Sequence, residues 1–314
     1  MVMTRRRALS AFGSGLAAFS AATASVRADD GPLRIGVNPV DASGQAYYAQ
    51  ELGFYAKAGL VATDVQTMAS GAAQAAAIAG GSIDISIANI VTLAQAHARG
   101  VPFTLIAGGG LYSTTAPNAL LMVAERSPLS SAKDLNGKTV AVSIVKSIAD
   151  FSVDAWMDQN GGDFKTLRYV EMPLSDMSPA LVQGRVDAAL VLEPFVPAAR
   201  AACRSIGKPY DAIAPHFLVA GYFTRLEWAQ RNPDVVRKFR DAMAQAADWA
   251  NVNHDRSGEI LVARAKLNAA DVKLMVREIY QERLDPALIQ PVIDAAAKYG
   301  GIARFAASDL IFHG

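Results

Sequence analysis

Short apolar, β-branched runs alternate along the chain with segments in which apolar side chains recur at helical spacing. Four of the runs predict strands, at Leu33–Val37, Val61–Thr67, Ile83–Ile87 and Phe103–Ala107. Helices are predicted between them at Gln45–Ala58, Ala72–Ala79 and Val91–Arg99. A glycine follows each helical segment and ends helices readily. This alternation favours a parallel sheet covered by helices.

The same alternation returns in the middle of the chain. Strands are predicted within Asp134–Val142, Leu167–Val170 and Val186–Leu192, and helices at Ser147–Gln159 and Asp176–Gln183. From Trp228 onward the pattern is helical. The helices predicted there are Asp234–Asn251, Ser257–Lys266, Ala270–Tyr280 and Pro286–Tyr299.

Two runs of alternating strands and helices predict two α/β lobes. We expect the first lobe to comprise residues 29–123 and 222–314, and the second to comprise 124–221. The chain would cross between them twice, near Leu121–Ser127 and near Val219–Thr224. The final helices are expected to pack back on the first lobe.

Residues 1–28 have the features of an export signal. Arg5, Arg6 and Arg7 precede a weakly apolar stretch, and Val26-Arg27-Ala28 provides a cleavage site before Asp29. The paired arginines resemble a twin-arginine signal, which would export the folded protein, and the Sec route stays open. A membrane anchor is the alternative, although the apolar stretch is shorter than the roughly 20 residues that span a bilayer. We therefore expect a periplasmic protein.

Charge and cysteine content exclude several kinds of function. Removing residues 1–28 takes away four arginines and no acid, which leaves 26 basic against 29 acidic side chains. This balance argues against nucleic acid as a partner. The single cysteine, Cys203, allows no internal disulfide, and the four histidines have no metal-ligand spacing. We expect no metal, no cofactor and no catalytic residues.

Several spaced motifs resemble one family of exported proteins. They are the Tyr47–Leu60 block, Gly81–Ile85, Lys133–Val142 and Gly184–Phe195. Together they resemble the solute-binding proteins of nitrate, sulfonate and taurine importers, a family that includes relatives of the yeast thiamine-pyrimidine synthase. The resemblance implies a bilobal, hinged fold of the type II periplasmic-binding-protein kind. It also implies a small-molecule ligand, a membrane permease of an ABC importer as partner, and a monomeric state.

Helix starts at the carboxyl ends of the strands are the expected ligand site, because they present unpaired N–H groups that suit anions. The candidates there are Ser70, Gly71, Ala72, Asn89, Ser143, Lys146 and Ser147. By analogy with the family, the cleft walls would add Asn38, Tyr112 and Ser113. Serine and asparagine could equally be helix N-caps, Lys146 a solvated lysine, and the aromatic residue part of the core.

Glu193 is a further candidate, at the end of a predicted buried strand. Glu193-Pro194-Phe195 resembles the Glu-Pro motif of the family. Its carboxylate could accept hydrogen bonds from a ligand amine or ring N–H, or from backbone N–H groups at the hinge.

These features favour a solute-binding component of an importer that captures a small organic anion such as a sulfonate, taurine, nitrate or a carboxylate. A pyrimidine or another heterocycle is the alternative ligand. An enzyme is a weaker hypothesis, because the cysteine-rich motif of the yeast synthase and the usual nucleophile and phosphate-loop motifs are missing. A sensor input domain is the weakest.

Overall fold

The computed structural model describes residues 31–60, 62–68 and 71–314. The predicted export signal at 1–28 lies outside the described residues, as does the candidate Ser70. None of the helices in the described part of the chain is long and apolar enough to cross a membrane.

Strands occur throughout the chain up to Tyr280. They are β1 (Leu33–Val37), β2 (Thr63–Thr67), β3 (Ile85–Asn89), β4 (Phe103–Gly108), β5 (Gly110–Ser113), β6 (Ala119–Ala124), β7 (Thr139–Val142), β8 (Arg168–Glu171), β9 (Ala188–Leu192), β10 (Cys203–Gly207), β11 (His216–Leu218), β12 (Ala220–Arg225) and β13 (Ile279–Tyr280). The predicted strands are confirmed, with ends that differ by a few residues.

The helices alternate with these strands and then dominate the last third. They are α1 (Gly44–Glu51), α2 (Phe54–Lys57), α3 (Gly71–Gly80), α4 (Ile90–Ala98), α5 (Ile148–Gln159), α6 (Leu174–Val182), α7 (Val196–Ala199), α8 (Leu226–Arg231), α9 (Pro233–Val252), α10 (His254–Ala265), α11 (Ala269–Leu274) and α12 (Pro286–Gly300). Short 3₁₀ helices lie at Asp41–Ser43, Lys133–Leu135, Phe164–Thr166, Pro209–Ala212 and Ala307–Leu310.

Two predicted helices are shorter than expected. The predicted helix Gln45–Ala58 divides into α1 and α2 because Gly53 adopts a left-handed conformation with φ 72°. The predicted helix Ala270–Tyr280 ends at Leu274, and Ile279 and Tyr280 instead pair with β5. Backbone pairing with a distant strand therefore overrides the local helical pattern there.

Two five-stranded sheets form the two lobes. The first has the order β2-β1-β3-β12-β4, in which β1, β2 and β3 run parallel and β12 runs antiparallel to its neighbours. The second has the order β10-β6-β9-β7-β8, in which β7, β8 and β9 run parallel. We call each sheet with its covering helices a lobe. The parallel strands of each lobe bring several helix starts to one edge of the sheet.

The chain passes between the sheets in residues 109–118 and 208–219. Strands β5 and β11 lie in these crossings, and β5 pairs with both β11 and β13 in a small third sheet, which we call the hinge sheet. Both crossings precede the predicted positions, because Leu121–Ala124 belongs to β6 of the second sheet and Ala220–Thr224 to β12 of the first. The residue boundaries of the lobes stay predictions.

Helix α12 packs on both lobes. It contacts α4 of the first and α5 of the second. Its buried side chains share one apolar cluster with Leu105 of β4 and Val140 of β7, and Lys298 pairs with Asp158 of α5 at 2.6 Å. The final helices pack on the first lobe as expected, α9 against α1 and α12 against α4, and α12 packs on the second lobe as well.

Candidate ligand-binding cleft

The carboxyl edge of the first sheet carries the candidates Asn38 and Asn89. Asn38 follows β1, is half-buried, and its side-chain amide bonds to that of Gln74 on α3. Asn89 ends β3 and is the N-cap of α4, where its Oδ1 accepts the Thr92 amide at 2.8 Å. Asn89 thus satisfies one of the unpaired amides at the start of α4.

Two further first-lobe candidates begin a helix. Gly71 is the first residue of α3 and Ala72 follows it. Their position after β2 agrees with the sequence-based expectation that this segment opens a helix.

The carboxyl edge of the second sheet leads from β7 through Ser143 to α5. Ser147 is the N-cap, and its Oγ accepts the Ala149 amide at 3.1 Å. The carboxylate of Asp150 accepts the amides of Lys146 and Ser147, each at 2.7 Å. An acidic side chain of the chain itself therefore occupies the start of α5, where the sequence predicted a place for a ligand anion.

Lys146 connects the two lobes. Its side chain is exposed and its φ of 57° is left-handed, which is uncommon for a residue with a β-carbon. Its carbonyl oxygen accepts a hydrogen bond from Nε2 of Gln95 on α4, at 2.8 Å. This bond brings the helix after β3 against the loop after β7, so the structure places these two candidate segments together.

Tyr112 and Ser113 lie in the hinge sheet. Tyr112 is fully buried, its hydroxyl donates to Asp211 at 2.6 Å, and its ring packs on Tyr210 and Phe217. Burial raises the pKa of the Tyr112 hydroxyl. Ser113 is also buried, and its Oγ bonds to Thr115 at 2.8 Å. Both side chains are therefore committed to partners within the chain.

Glu193 follows β9 at the carboxyl edge of the second sheet. Its Oε1 accepts the Val276 amide at 3.1 Å. One carboxylate oxygen is therefore bonded to a backbone N–H group, which was one of the two alternatives for this side chain. Its Oε2 is buried with no hydrogen-bond partner among the described residues. Burial is the main reason that the pKa of Glu193 rises to about 7.

A buried ion pair next to Glu193 escaped the sequence analysis. Arg277 Nε donates to Asp41 Oδ2 at 3.0 Å and Nη2 to Oδ1 at 3.2 Å, with the two side chains 9% and 5% exposed. The hydroxyl of Tyr280 donates to the same carboxylate at 2.7 Å, and the Glu278 amide does so at 2.9 Å. The pair ties the segment after β1 to the segment before β13.

Glu278 and Asn118 extend this group towards the second sheet. Asn118 Nδ2 donates to Glu278 Oε2 at 2.9 Å, and the Asn118 carbonyl accepts the Glu193 amide at 3.0 Å. Glu278 is 7% exposed, and burial is the main reason that its pKa rises to about 8. A side chain at Gly110 would collide with Glu278 Oε1. We call Asp41, Asn118, Glu193, Arg277 and Glu278 the hinge cluster.

The sequence offered few signs of the hinge cluster. Arg277 and Glu278 fall inside a segment whose apolar pattern predicts a helix, and only the position of Asp41 after the first strand pointed to an edge residue. Among the described residues, no group of three or more histidine, cysteine, aspartate or glutamate side chains could hold a metal ion.

Comparisons with known proteins identify the relatives of this chain. A family model described as NMT1/THI5 like matches residues 42–257. No curated protein sequence matches.

Solved structures of binding proteins superimpose over most of the chain. The aliphatic sulphonate binding protein SsuA from Escherichia coli has 19% identity, a TM-score of 0.73, and coverage of 90% of this chain and 92% of its own. A ligand binding component of an ABC-type import system from Staphylococcus aureus, solved with zinc bound, has 15% identity, a TM-score of 0.76, and coverage of 90% and 96%. The nitrate-binding protein NrtA from Synechocystis PCC 6803 has 16% identity, a TM-score of 0.64, and coverage of 78% and 69%. The predicted two-lobed periplasmic-binding-protein fold is therefore confirmed.

Proposed function

The chain belongs to the NMT1/THI5-like family, and on that basis we propose that it is the extracytoplasmic solute-binding component of an ABC importer. It captures a small molecule between its lobes in the periplasm, as a monomer, and delivers it to a membrane permease. The Staphylococcus aureus protein of the same fold is such a component of an import system, which supports this assignment.

The observation that carries the proposal is the hydrogen bond between Gln95 and Lys146. It joins the helix after β3 to the loop after β7, so a ligand at the carboxyl edges of the two sheets would touch both lobes. Closure of two lobes about a hinge excludes water and strengthens polar contacts with the enclosed ligand.

For the ligand, we propose a small organic anion at the first-lobe edge. The N-termini of α3 and α4 suit an oxyanion, and the exposed Lys146 belongs to the loop that contacts α4. The start of α5 is less suited to bind the anion, because the amides of Lys146 and Ser147 already donate to the carboxylate of Asp150. A pyrimidine-like heterocycle is the second candidate, favoured by the buried, unpartnered Oε2 of Glu193.

A thermal-shift screen with nitrate, alkylsulfonates, carboxylates and pyrimidines tests the function. We expect at least one compound to raise the melting temperature, because a ligand that binds only the folded state stabilises it. If an anion binds through Lys146, Lys146→Glu should weaken it by about 1–3 kcal/mol. The exposed Lys165, on a 3₁₀ helix away from the cleft, provides the matched control Lys165→Glu. Stabilisation by neutral heterocycles alone would refute the anion, and no stabilisation by any compound would count against the function.

A further inference from the structure

Glu193 connects the two lobes. It follows β9 of the second sheet, and its Oε1 accepts the backbone amide of Val276 at 3.1 Å. Val276 precedes Arg277, whose guanidinium is bonded to Asp41 after β1 of the first sheet. Helix α7, which follows Glu193, also packs on α11, just before Val276. Separating the lobes therefore breaks the bond between Glu193 and Val276, and we call the arrangement in which it is formed the closed one.

The surroundings of Glu193 disfavour a negative charge in the closed arrangement. Burial is the largest cause that raises the pKa of Glu193 to about 7, and the carboxylates of Asp41 and Asp271 raise it further. The Val276 amide and the cation of Arg200 favour the ionised form but do not outweigh the burial. The neutral carboxyl group is therefore favoured when the lobes are together.

A neutral Glu193 also suits the other oxygen atoms of the hinge cluster. Oε2 of Glu193, Oδ1 of Asn118 and Oε1 of Glu278 are buried and have no hydrogen-bond partner among the described residues. Asn118 donates to Glu278 through its side chain and accepts the Glu193 amide through its carbonyl oxygen. A proton on Oε2 of Glu193 supplies a donor to a bonded group that otherwise has three unpaired acceptors.

Separation of the lobes reverses these conditions. Glu193 then moves away from Asp41, after β1, and from Asp271, on α11, and water reaches its carboxylate. Arg200 stays near it, because Arg200 ends α7 directly after β9. The ionised form is therefore favoured when the lobes are apart, and the pKa of Glu193 falls towards its ordinary value of 4.5.

We propose that Glu193 is a proton-linked latch, in which the neutral carboxyl group holds the lobes together and the ionised carboxylate favours their separation. The latch regulates closure, which goes beyond the capture of a ligand in the proposed function. The stabilisation of the closed arrangement is complete below pH 4.5 and is lost as the pH rises through 7. A small molecule enclosed between the lobes is then held more tightly in acid, and its capture near neutral pH takes up protons.

Amide hydrogen exchange at single-residue resolution tests the latch in the ligand-free protein. The Val276 amide donates to Glu193 across the lobes, whereas the Glu278 amide, two positions further on, donates to Asp41 at 2.9 Å. The protection factor, corrected for the chemical exchange rate at each pH, measures how often each bond opens. We expect the protection of the Val276 amide to fall at least tenfold between pH 5 and pH 8, and that of the Glu278 amide to fall less.

The size of this effect follows from the two pKa values. A pKa of about 7 in the closed arrangement and the ordinary 4.5 in the open one give a fall of about 70-fold between pH 5 and pH 8. Because the Glu193 side chain is only partly buried, we expect a smaller fall, of at least tenfold.

Two variants connect the effect to Glu193. Glu193→Gln keeps an oxygen that accepts the Val276 amide but cannot ionise, so the protection of that amide should no longer depend on pH. Glu227→Gln, at an exposed residue of α8, should retain the wild-type dependence. If circular dichroism shows that Glu193→Gln does not fold, NMR titration of the Glu193 side-chain carboxyl carbon in the wild type replaces it, with a midpoint near pH 7 expected.

Four outcomes would each overturn the latch. They are equal protection of the Val276 amide at pH 5 and pH 8, an equal fall at the Glu278 amide, a fall that persists in Glu193→Gln, and a carboxyl midpoint near pH 4.5. All four leave the importer function standing, because the thermal-shift screen tests that function separately.

Discussion

Replacing Arg277 by leucine should destabilise the protein strongly, because it leaves the buried carboxylate of Asp41 without its cation. Breaking a buried ion pair by removing one partner costs about 3–5 kcal/mol. The Asp41 carboxylate would keep the Tyr280 hydroxyl and the Glu278 amide as donors, at 2.7 and 2.9 Å, which places the expected loss near the lower limit. At about 2 °C per kcal/mol for a chain of this size, the melting temperature should fall by about 6 °C.

The matched control is Arg237→Leu. Arg237 pairs with Asp234 on the surface of α9 at 3.2 Å, with the two side chains 62% and 81% exposed. Exposed pairs contribute about 0.2–1 kcal/mol, so urea denaturation should show a small change for this variant. An equal decrease in the free energy of unfolding for Arg277→Leu and Arg237→Leu would refute the reasoning, because the buried ion pair would then stabilise the protein no more than the exposed one.

Three further predictions concern stability. Burial raises the pKa of Glu278 from 4.5 to about 8, so the folded protein holds this proton more tightly than the unfolded chain. The stabilisation from this tighter proton binding is complete below pH 4.5 and is lost as the pH rises to 8, so the free energy of unfolding should fall over this range. The fall should be smaller in Glu278→Gln, and an identical dependence of unfolding free energy on pH in the two proteins would contradict this. Asn89→Ala should cost about 1 kcal/mol in urea denaturation because it removes the cap on the Thr92 amide, and an unchanged midpoint would show that the cap contributes nothing. Lys146→Gly should raise the melting temperature slightly, because glycine adopts the left-handed conformation without the steric cost of roughly 1–2 kcal/mol, and a lower melting temperature would contradict this.

The sequence predicts the strands and helices of both lobes well, because each element carries its own apolar pattern. Leu33–Val37 is a strand in the sequence-based prediction and in the structure. The capping roles of Asn89 and Ser147, raised as alternatives to ligand binding, are also present. These are local features, and local sequence is sufficient to predict them.

The hinge cluster could not be predicted, because its contacts join residues far apart in the chain. Arg277 meets Asp41 across 236 positions, and Asn118 meets Glu278 across 160. The local pattern of residues 270–280 also predicts a helix, whereas in the structure Ile279 pairs with β5 instead. The occupied start of α5 was not predicted for a simpler reason: Asp150 is the third residue of the helix, and its effect depends on the direction of its side chain.

The position of α12 sets a limit on how the two lobes can move. Since this helix lies against α4 and α5 together, separating the lobes strips apolar contacts from at least one of its sides. Exposing such surface costs about 25 cal/mol per Å². Substitutions on the buried face of α12 would therefore change the free energy needed to separate the lobes and, through it, the affinity for a ligand held between them.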